Sequence, residues 1–251
     1  MNNASSISSW IAETVKNAEF ANVVIGLSGG IDSALSTTLA VSALGSDHVY
    51  PLLLPYKDMH TKALSDAVDV IQFLKIPTEH VTQIDIAESV DATLTHMKNI
   101  DDIRRGNVMA RVRMIYLFDF AKKYTALVCG TENKTEHYLG YFTRFGDEAS
   151  DIEPIRNLYK TEVWEMAKEL GISQQIIEKA PTAGLWEGQT DEKELGFSYQ
   201  EADTVLRYYF DEHLTFEQIN AKKVVREQTI SAILERVRKN EFKHALPYIY
   251  Q

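Results

Sequence analysis

Short apolar runs alternate with helix-length segments through the first half of the chain, and this alternation is the strongest constraint on the fold. The runs are brief and rich in β-branched residues, which predicts buried strands at 22–27, 48–55, 79–86 and 126–130. Helices are predicted at 7–19, 34–44, 61–75, after residue 86 to about 98, and at 108–124, 159–171, 198–210 and 221–242. Strands and helices in this order form βαβ units, whose right-handed crossovers build a parallel sheet with helices on both faces. We therefore predict the α/β class: a Rossmann-like doubly wound parallel sheet of four to five strands flanked by helices, with a helical C-terminal part.

The length and composition suit one globular domain. The chain has 251 residues, of which 45% are hydrophobic and 25% are charged, so we expect a single domain over residues 1–251. No apolar stretch reaches the roughly 18 residues needed to cross a bilayer. The N-terminal segment also lacks the basic and then apolar pattern of a secretion signal. We expect a cytoplasmic protein without a membrane partner.

Charge and cysteine content narrow the possible functions. The net charge of −10 argues against a nucleic-acid partner, because nucleic-acid binding usually needs a basic surface. Cys129 is the only cysteine, so the chain has no intramolecular disulfide and no cysteine-clustered metal site. Because Cys129 ends a predicted buried strand, we expect it to lie in the core.

A glycine-rich turn, GLSGGIDSALS at 26–36, directly follows the first predicted strand. Gly29 and Gly30 let backbone N–H groups point inward without a Cβ clash, and the helix predicted to begin near Ser33 directs its positive end to the same place. Ser28 and Ser33 add hydroxyl donors. The turn has neither the Walker A pattern nor G-x-G-x-x-G. We interpret it as a phosphate-binding loop; the alternative is a tight strand-to-helix turn with an acid near the helix start.

Asp32 within this turn points to a metal ion. A carboxylate would repel a bound phosphate unless a cation lay between them, and Mg²⁺ is commonly held by one or two carboxylates plus phosphate oxygens. A second polar loop, 130–136, follows the fourth predicted strand. Ligands of parallel α/β sheets bind beyond the carboxyl ends of the strands. If the first and fourth strands are neighbours, both loops open onto one crevice.

The turn and three other segments resemble a known family. S-G-G-I-D-S at 28–33 resembles the pyrophosphate loop of the N-type ATP pyrophosphatases, which include NAD synthetase, GMP synthetase, asparagine synthetase and the tRNA-thiolating enzymes. Segments 106–118, 130–163 and 179–199 resemble the NAD synthetase family in order and spacing, over nearly the whole chain. The resemblance implies ammonia-dependent amidation of deamido-NAD through an adenylated intermediate, with ATP converted to AMP and pyrophosphate, as the last step of NAD biosynthesis.

The resemblance also implies roles for individual residues. It places Asp32 and Glu136 on Mg²⁺, and it makes Asp32, Lys160 and Asp151 the catalytic candidates. ATP would be bound by Gly26, Leu27, Ser28, Gly29, Gly30, Ile31, Asp32, Ser33, Thr131, Lys160 and Thr182. Deamido-NAD would be bound by Arg111, Arg144, Asp151, Phe242 and Lys243. From the sequence alone, a solvated acid at a helix start explains Glu136 equally well, and an ordinary N-cap explains Thr131.

Two of these positions depart from the family pattern. Position 144 is often lysine in the family, and arginine keeps the charge but changes the geometry of its donors. Phe242 stands where some relatives have histidine, which puts that contact in doubt. Asp151 is also the candidate to hold ammonium or to take its proton.

The predicted helix 108–124 is apolar on nearly all sides, which predicts burial in the fold or in a subunit interface. An arginine in that setting needs an anionic partner, and Arg111 is the candidate. The resemblance implies a homodimer with the dinucleotide bound across the interface, where this helix would lie. Arg113 points about 200° away from Arg111 around the helix, so we interpret it as structural.

The nitrogen source and two loops complete the predictions. A glutaminase would need an additional domain and a nucleophile with its partners, so we expect free ammonia or ammonia from a separate protein. We expect 101–107 to be a polar mobile link and 183–196 to be a lid within a long loop, 180–196. Two alternatives are a tRNA-modifying enzyme, which the charge and the single cysteine oppose, and a non-catalytic adenine-nucleotide sensor, which would need neither Glu136 nor Lys160.

Overall fold

The computed structural model describes residues 3–57, 61–182, 184, 188–245 and 247–249. Its sheet consists of the parallel strands β1 (Asn22–Gly26), β2 (Val49–Leu53), β3 (Thr82–Gln83) and β4 (Ala126–Cys129). Their spatial order is β3-β2-β1-β4, so β1 pairs with both β2 and β4. The predicted class is confirmed, and the first and fourth strands are neighbours, which is the condition for both polar loops to open onto one crevice. An isolated parallel bridge between Cys129 and Ile152 extends the sheet beyond β4.

Helices cover both faces of the sheet. In chain order they are α1 (Ala4–Asn17), α2 (Ile31–Leu44), α3 (Thr61–Phe73), α4 (Ala87–Leu94), α5 (Asp102–Tyr124), α6 (Lys134–Leu139), α7 (Lys160–Glu169), α8 (Gln174–Ile177), α9 (Asp191–Leu195), α10 (Tyr199–Leu206), α11 (Phe216–Ala221) and α12 (Glu227–Asn240). In β1, Val23 and Ile25 face a core built with α1, α2, α3 and α7. Val24 faces the opposite core, built with α4 and α5. Strand β1 is thus buried on both sides, which explains its continuous apolar sequence.

A third apolar cluster packs the C-terminal helices against one another and against α6. Tyr199 and Leu206 of α10 pack there with Ile230 and Ile233 of α12. Tyr159, which directly precedes α7, belongs to the same cluster. The predicted helical C-terminal part is therefore confirmed, and its packing brings α10 against α6 and α7.

Several predicted boundaries were wrong. Segment 101–107 is not a mobile link: α5 begins at Asp102, and the Asp101 carboxylate caps it by accepting from the Arg104 N–H at 2.7 Å. The polar composition hid a capped first turn. Helix α2 begins at Ile31 rather than near Ser33.

The second half of the chain also differs in detail from the prediction. The helix predicted at 221–242 corresponds to α12, which begins only at Glu227, while residue 221 is the end of a separate helix, α11. The predicted long loop 180–196 contains the short helix α9. Residues 183 and 185–187 of the predicted lid lie outside the described residues. None of the described helices has the length and apolarity needed to span a membrane.

Candidate active site

The glycine turn between β1 and α2 leaves backbone donors available. Gly30 is the N-cap of α2 and provides no side-chain acceptor for the N–H groups of the first helical turn. Ser33 donates its hydroxyl to the Gly30 carbonyl at 2.9 Å, and its oxygen accepts from the Ser28 N–H at 3.2 Å. Gly29 has φ +73°, a conformation that side chains disfavour. Free N–H groups at a helix start attract anions, as the sequence predicts for this turn.

A cleft of about 840 Å³ lies beyond the carboxyl ends of β1, β2 and β4. This is the size range of small-molecule sites, and its place beside β1 and β4 is where the strand order reverses. Most of the residues predicted to bind the nucleotide line it: Gly26, Leu27, Ser28, Gly30, Ile31, Asp32, Ser33, Thr131, Lys160 and Thr182. The structure therefore brings the two polar loops and α7 to one place.

Lys160 joins the two carboxylates that were predicted to share a metal. Its ammonium donates to Asp32 Oδ2 at 2.6 Å and to Glu136 Oε1 at 3.1 Å. The side chain is 2% exposed, and the backbone N–H at the start of α7 donates to Thr135 Oγ1 at 2.9 Å. Burial alone would lower the pKa of Lys160, but the two carboxylates reverse that effect and raise it above its ordinary value. Lys160 is therefore a fixed cation in the cleft.

Burial lowers the pKa of a lysine but raises the pKa of a carboxyl group such as that of Glu136. Loss of solvation raises the pKa of this carboxyl to about 8, although the Lys160 ammonium opposes the shift. The nearby Asp32 carboxylate adds to the increase. A cation that approached both carboxylates would favour their ionised forms.

Three residues of this cluster were missed by the sequence analysis. Asn133 donates from Nδ2 to Asp32 Oδ1 at 2.9 Å, while its Oδ1 accepts from the Glu136 N–H and caps α6. The Tyr199 hydroxyl lies 2.9 Å from Asp191 Oδ2 and 3.2 Å from Glu136 Oε1. The N-x-x-E spacing at 133–136 was a usable signal for the Asn133 cap. The chain offers no local signal for Tyr199 and Asp191, whose contacts depend on packing of α10.

The two carboxylates fit a magnesium ion. Asp32 and Glu136 both reach one ammonium, so their oxygens converge on a position that already suits a cation. Hard carboxylate oxygens are the ligands that Mg²⁺ prefers, and it commonly takes only one or two of them. No larger group of His, Cys, Asp and Glu suited to a metal occurs among the described residues.

The residues predicted for the second substrate lie around the mouth of the cleft. Lys243 lines the cleft and donates to the carbonyls of Gly140 and Phe142 at 2.6 and 2.8 Å. The Arg144 guanidinium stacks on the Phe242 ring, with its carbon 5.2 Å from the ring centroid. Both Arg144 and Phe242 lie outside the cleft lining. The structure therefore brings only Lys243 of these three into the cleft itself.

Asp151 also lies outside the cleft lining. Its carboxylate accepts from the Val128 N–H at 2.7 Å, which ties the loop after β4 to the strand. Cys129, at the end of β4, is buried as predicted, and burial raises the pKa of its thiol well above the ordinary range. A neutral, enclosed thiol is a poor nucleophile.

The two arginines of α5 lie in different environments within this chain. Arg111 is exposed, and its Nε donates to the Arg144 carbonyl at 3.2 Å. Arg113, interpreted as structural, lines the cleft and donates from Nε to the Leu54 carbonyl at 3.1 Å. Burial lowers the pKa of Arg113 to about 10. Helical periodicity gives the relative directions of the two side chains and does not say which direction faces the cleft.

A parallel sheet whose switch-point cleft unites a glycine turn with paired carboxylates defines a nucleotide-binding α/β protein. Residues 3–247 match the family model described as NAD synthase. Two relatives are the NH(3)-dependent NAD(+) synthetases of Fusobacterium nucleatum (43% identity, 96% of this chain and 92% of the relative) and Methanocaldococcus jannaschii (44% identity, 96% and 93%). A similar solved structure is the NMN synthetase of Francisella tularensis (TM-score 0.86, 35% identity, 99% of this chain and 97% of that one). The chain belongs to the NAD synthase family.

Proposed function

We propose that this chain catalyses the ATP-dependent amidation of deamido-NAD with ammonia, giving NAD, AMP and pyrophosphate. The observation that carries the proposal is that the glycine turn and the Asp32–Lys160–Glu136 cluster share one cleft in a member of the NAD synthase family. A triphosphate needs N–H donors and cations around it, and a metal needs carboxylates beside it. This cleft contains the N–H donors of the glycine turn and the Lys160 ammonium for the triphosphate, and the carboxylates of Asp32 and Glu136 for the metal.

The first chemical step activates the nicotinate carboxylate, whose oxygen is a poor leaving group. That oxygen attacks the α-phosphorus of ATP, and pyrophosphate departs. The N–H groups around Gly30 and the Lys160 ammonium would bind the charged phosphates and stabilise the departing pyrophosphate. Asp32 and Glu136 would hold Mg²⁺, which neutralises phosphate charge when bound. In this proposal Thr131 and Thr182 contact the nucleotide from opposite ends of the cleft.

In the second step ammonia attacks the acyl-adenylate, and AMP leaves. We assign Asp151 to hold ammonium or to take its proton, and no nucleophilic side chain is needed. Deamido-NAD would bind at the cleft mouth through Arg111, Arg144, Phe242 and Lys243. The Lys243 side chain suits this role because it lies in the cleft wall.

Exclusion of water from the adenylate is assigned to segment 183–196. The end of that segment is anchored, because the Asp191 carboxylate accepts from the hydroxyls of Tyr199 and Tyr141 at 2.9 and 3.1 Å. Asp191 is nearly fully buried. Asp191, at the start of α9, is therefore the fixed end of this segment.

We also propose a cytoplasmic homodimer of single-domain chains, with deamido-NAD bound across the interface through α5. This helix exposes Ile103, Ile115 and Phe118 together with Arg111. Large apolar side chains on one helix favour a subunit contact. Sedimentation velocity should give a dimer for the wild type and a monomer for Ile115→Asp. A monomeric wild type would contradict the proposal.

The activity test uses the purified chain with deamido-NAD, ATP, Mg²⁺ and ammonium chloride. We expect equal amounts of NAD and pyrophosphate, little product when glutamine replaces ammonium, and no turnover by Asp32→Ala. Asp69→Ala, at an exposed position of α3 away from the cleft lining, is the matched control and should retain wild-type activity. Efficient use of glutamine would contradict the nitrogen source, and substantial activity of Asp32→Ala would contradict the metal site.

The mononucleotide is a second candidate substrate. The structural relative from Francisella tularensis is named NMN synthetase and matches 99% of this chain. Amidation of the mononucleotide would use the same nicotinate carboxylate and the same adenylate. The same assay with deamido-NMN in place of deamido-NAD compares the two values of kcat/KM. If kcat/KM is higher for deamido-NMN than for deamido-NAD, the mononucleotide becomes the proposed substrate.

A further inference from the structure

A buried ion pair lies directly behind the glycine turn. Asp66 of α3 is 0% exposed, and its Oδ2 accepts from the Lys179 ammonium at 2.7 Å. Its second oxygen accepts from the Gln175 side-chain amide. A carboxylate without solvent is stable only with such partners, so Asp66 holds Lys179 in one position.

The Lys179 ammonium makes a second contact, with the turn itself. It donates to the Gly29 carbonyl oxygen at 3.2 Å. In a trans peptide the carbonyl of one residue and the N–H of the next point in opposite directions. Holding the Gly29 carbonyl toward Lys179 therefore directs the Gly30 N–H the other way. That N–H donates to Ser28 Oγ at 3.2 Å, and both Gly30 and Ser28 line the cleft.

The Gly29–Gly30 peptide needs a contact from outside the turn, such as that from Lys179, to keep one orientation. Gly29 has φ +73° and no side chain, so its peptide can rotate with little steric hindrance. Helix α3 restricts the turn on one side, because a Cβ at Gly29 would overlap the Ala63 carbonyl oxygen. Lys179 supplies the polar restraint, since its ammonium carries a full charge and its partner is buried. The orientation of the Gly29–Gly30 peptide thus depends on residues far away in sequence.

We propose that Lys179, held by Asp66, is a positioning residue for ATP: it fixes the Gly29–Gly30 peptide, and with it the hydrogen bond from Gly30 to Ser28, in the part of the cleft lining where the triphosphate would bind. This rests on the proposed function, because the triphosphate is taken as the ligand of the turn. Lys179 also begins the stretch that reaches Thr182, so the same ion pair aligns the opposite wall of the cleft with the turn.

The experiment compares Lys179→Met with the double variant Asp66→Asn/Lys179→Met. Lys179→Met removes the restraint but leaves the Asp66 carboxylate uncompensated. The double variant removes both charges, which restores the charge balance and the stability without restoring the contact with Gly29. Lys168→Met, an exposed lysine of α7, is the control. The readouts are kcat, separate KM values for ATP and deamido-NAD, and ATP binding by calorimetry without the second substrate.

We expect the KM for ATP to rise at least about 10-fold in both Lys179 variants, which corresponds to a lost charge-assisted hydrogen bond. ATP binding should weaken by a similar factor, while the KM for deamido-NAD and the behaviour of Lys168→Met stay at wild-type values. Thermal melting should show the double variant to be more stable than Lys179→Met.

Two results would overturn the assignment. Recovery of the wild-type KM for ATP in the double variant would mean that the single variant suffers only from the unpaired Asp66. An equal rise of both KM values would indicate a general structural defect. Failure of the proposed function is a separate outcome, since the wild type would then form no NAD, and calorimetry with ATP alone would still test the positioning role.

Discussion

Replacing Gly29 by alanine perturbs the phosphate turn where its backbone has least room. At φ +73° an alanine costs about 1 kcal/mol more than glycine. The added Cβ would also overlap the Ala63 carbonyl oxygen and lie 2.9 Å from the Ala63 carbonyl carbon. Carbon atoms pack favourably at about 3.5–4.0 Å. Because Ala63 contributes backbone atoms, no side-chain rotation relieves the overlap, and the turn or α3 must move by about 1 Å.

That displacement has a measurable consequence for ATP. A misplacement of about 1 Å in a binding site can reduce activity about 100-fold, which corresponds to about 2.7 kcal/mol. We expect Gly29→Ala to lower kcat/KM for ATP by about that factor. The free energy of unfolding should fall by about 1–3 kcal/mol in urea titrations. Steady-state kinetics with ATP as the varied substrate gives the first value.

Gly171→Ala is the matched control. Gly171 has φ +74°, almost the same as Gly29, and an added Cβ would meet only Phe73, at an ordinary distance of 3.8 Å. This variant should lose stability through backbone strain alone and keep wild-type kinetics. The reasoning is refuted if Gly29→Ala retains the wild-type kcat/KM for ATP, or if both variants lose activity equally.

Two further predictions concern charge in the folded chain. Lys160→Met should lose about 3–5 kcal/mol of stability, because Asp32 and Glu136 lose their shared cation. Mg²⁺ should raise the melting temperature of this variant more than that of the wild type. A melting temperature that does not respond to Mg²⁺ would count against the metal site. Burial raises the pKa of Glu153 from its ordinary value of 4.5 to about 7. The folded state therefore binds the proton more tightly, and stability falls as pH rises through this range. Glu153→Gln should weaken that fall in urea titrations from pH 4.5 to pH 8, and an unchanged slope would contradict the shift.

The elements of the fold were largely predictable because their signals are local. A run such as Val23–Val24–Ile25 is buried on both faces, so continuous β-branched sequence identifies it as a central parallel strand. The polar segment 101–107 was misinterpreted because a helix start and a solvated link share the same composition. Only the position of the Asp101 carboxylate over the Arg104 N–H distinguishes them.

The part of the candidate site that was predictable is the glycine turn, because all its residues lie in one short segment of the sequence. The glycine turn was predicted as an anion site because its glycines, hydroxyls and helix start are adjacent in the sequence. The position of Arg113 relative to the cleft could not be predicted, for the opposite reason. Periodicity separated it from Arg111 around α5, but the packing of that helix over β1 and β4 decided which of the two faces the cleft.

The sequence by itself determined the class of fold, the glycine turn after β1 and the family, because each is encoded in adjacent residues or in matched spacing along the chain. Tertiary structure alone decided which side chains meet. Lys160 lies 128 positions from Asp32, and Lys179 lies 150 from Gly29. Such contacts arise when β1 takes β2 and β4 as neighbours and the helices pack on both faces. Their geometry depends on the whole core, and no short segment carries that information.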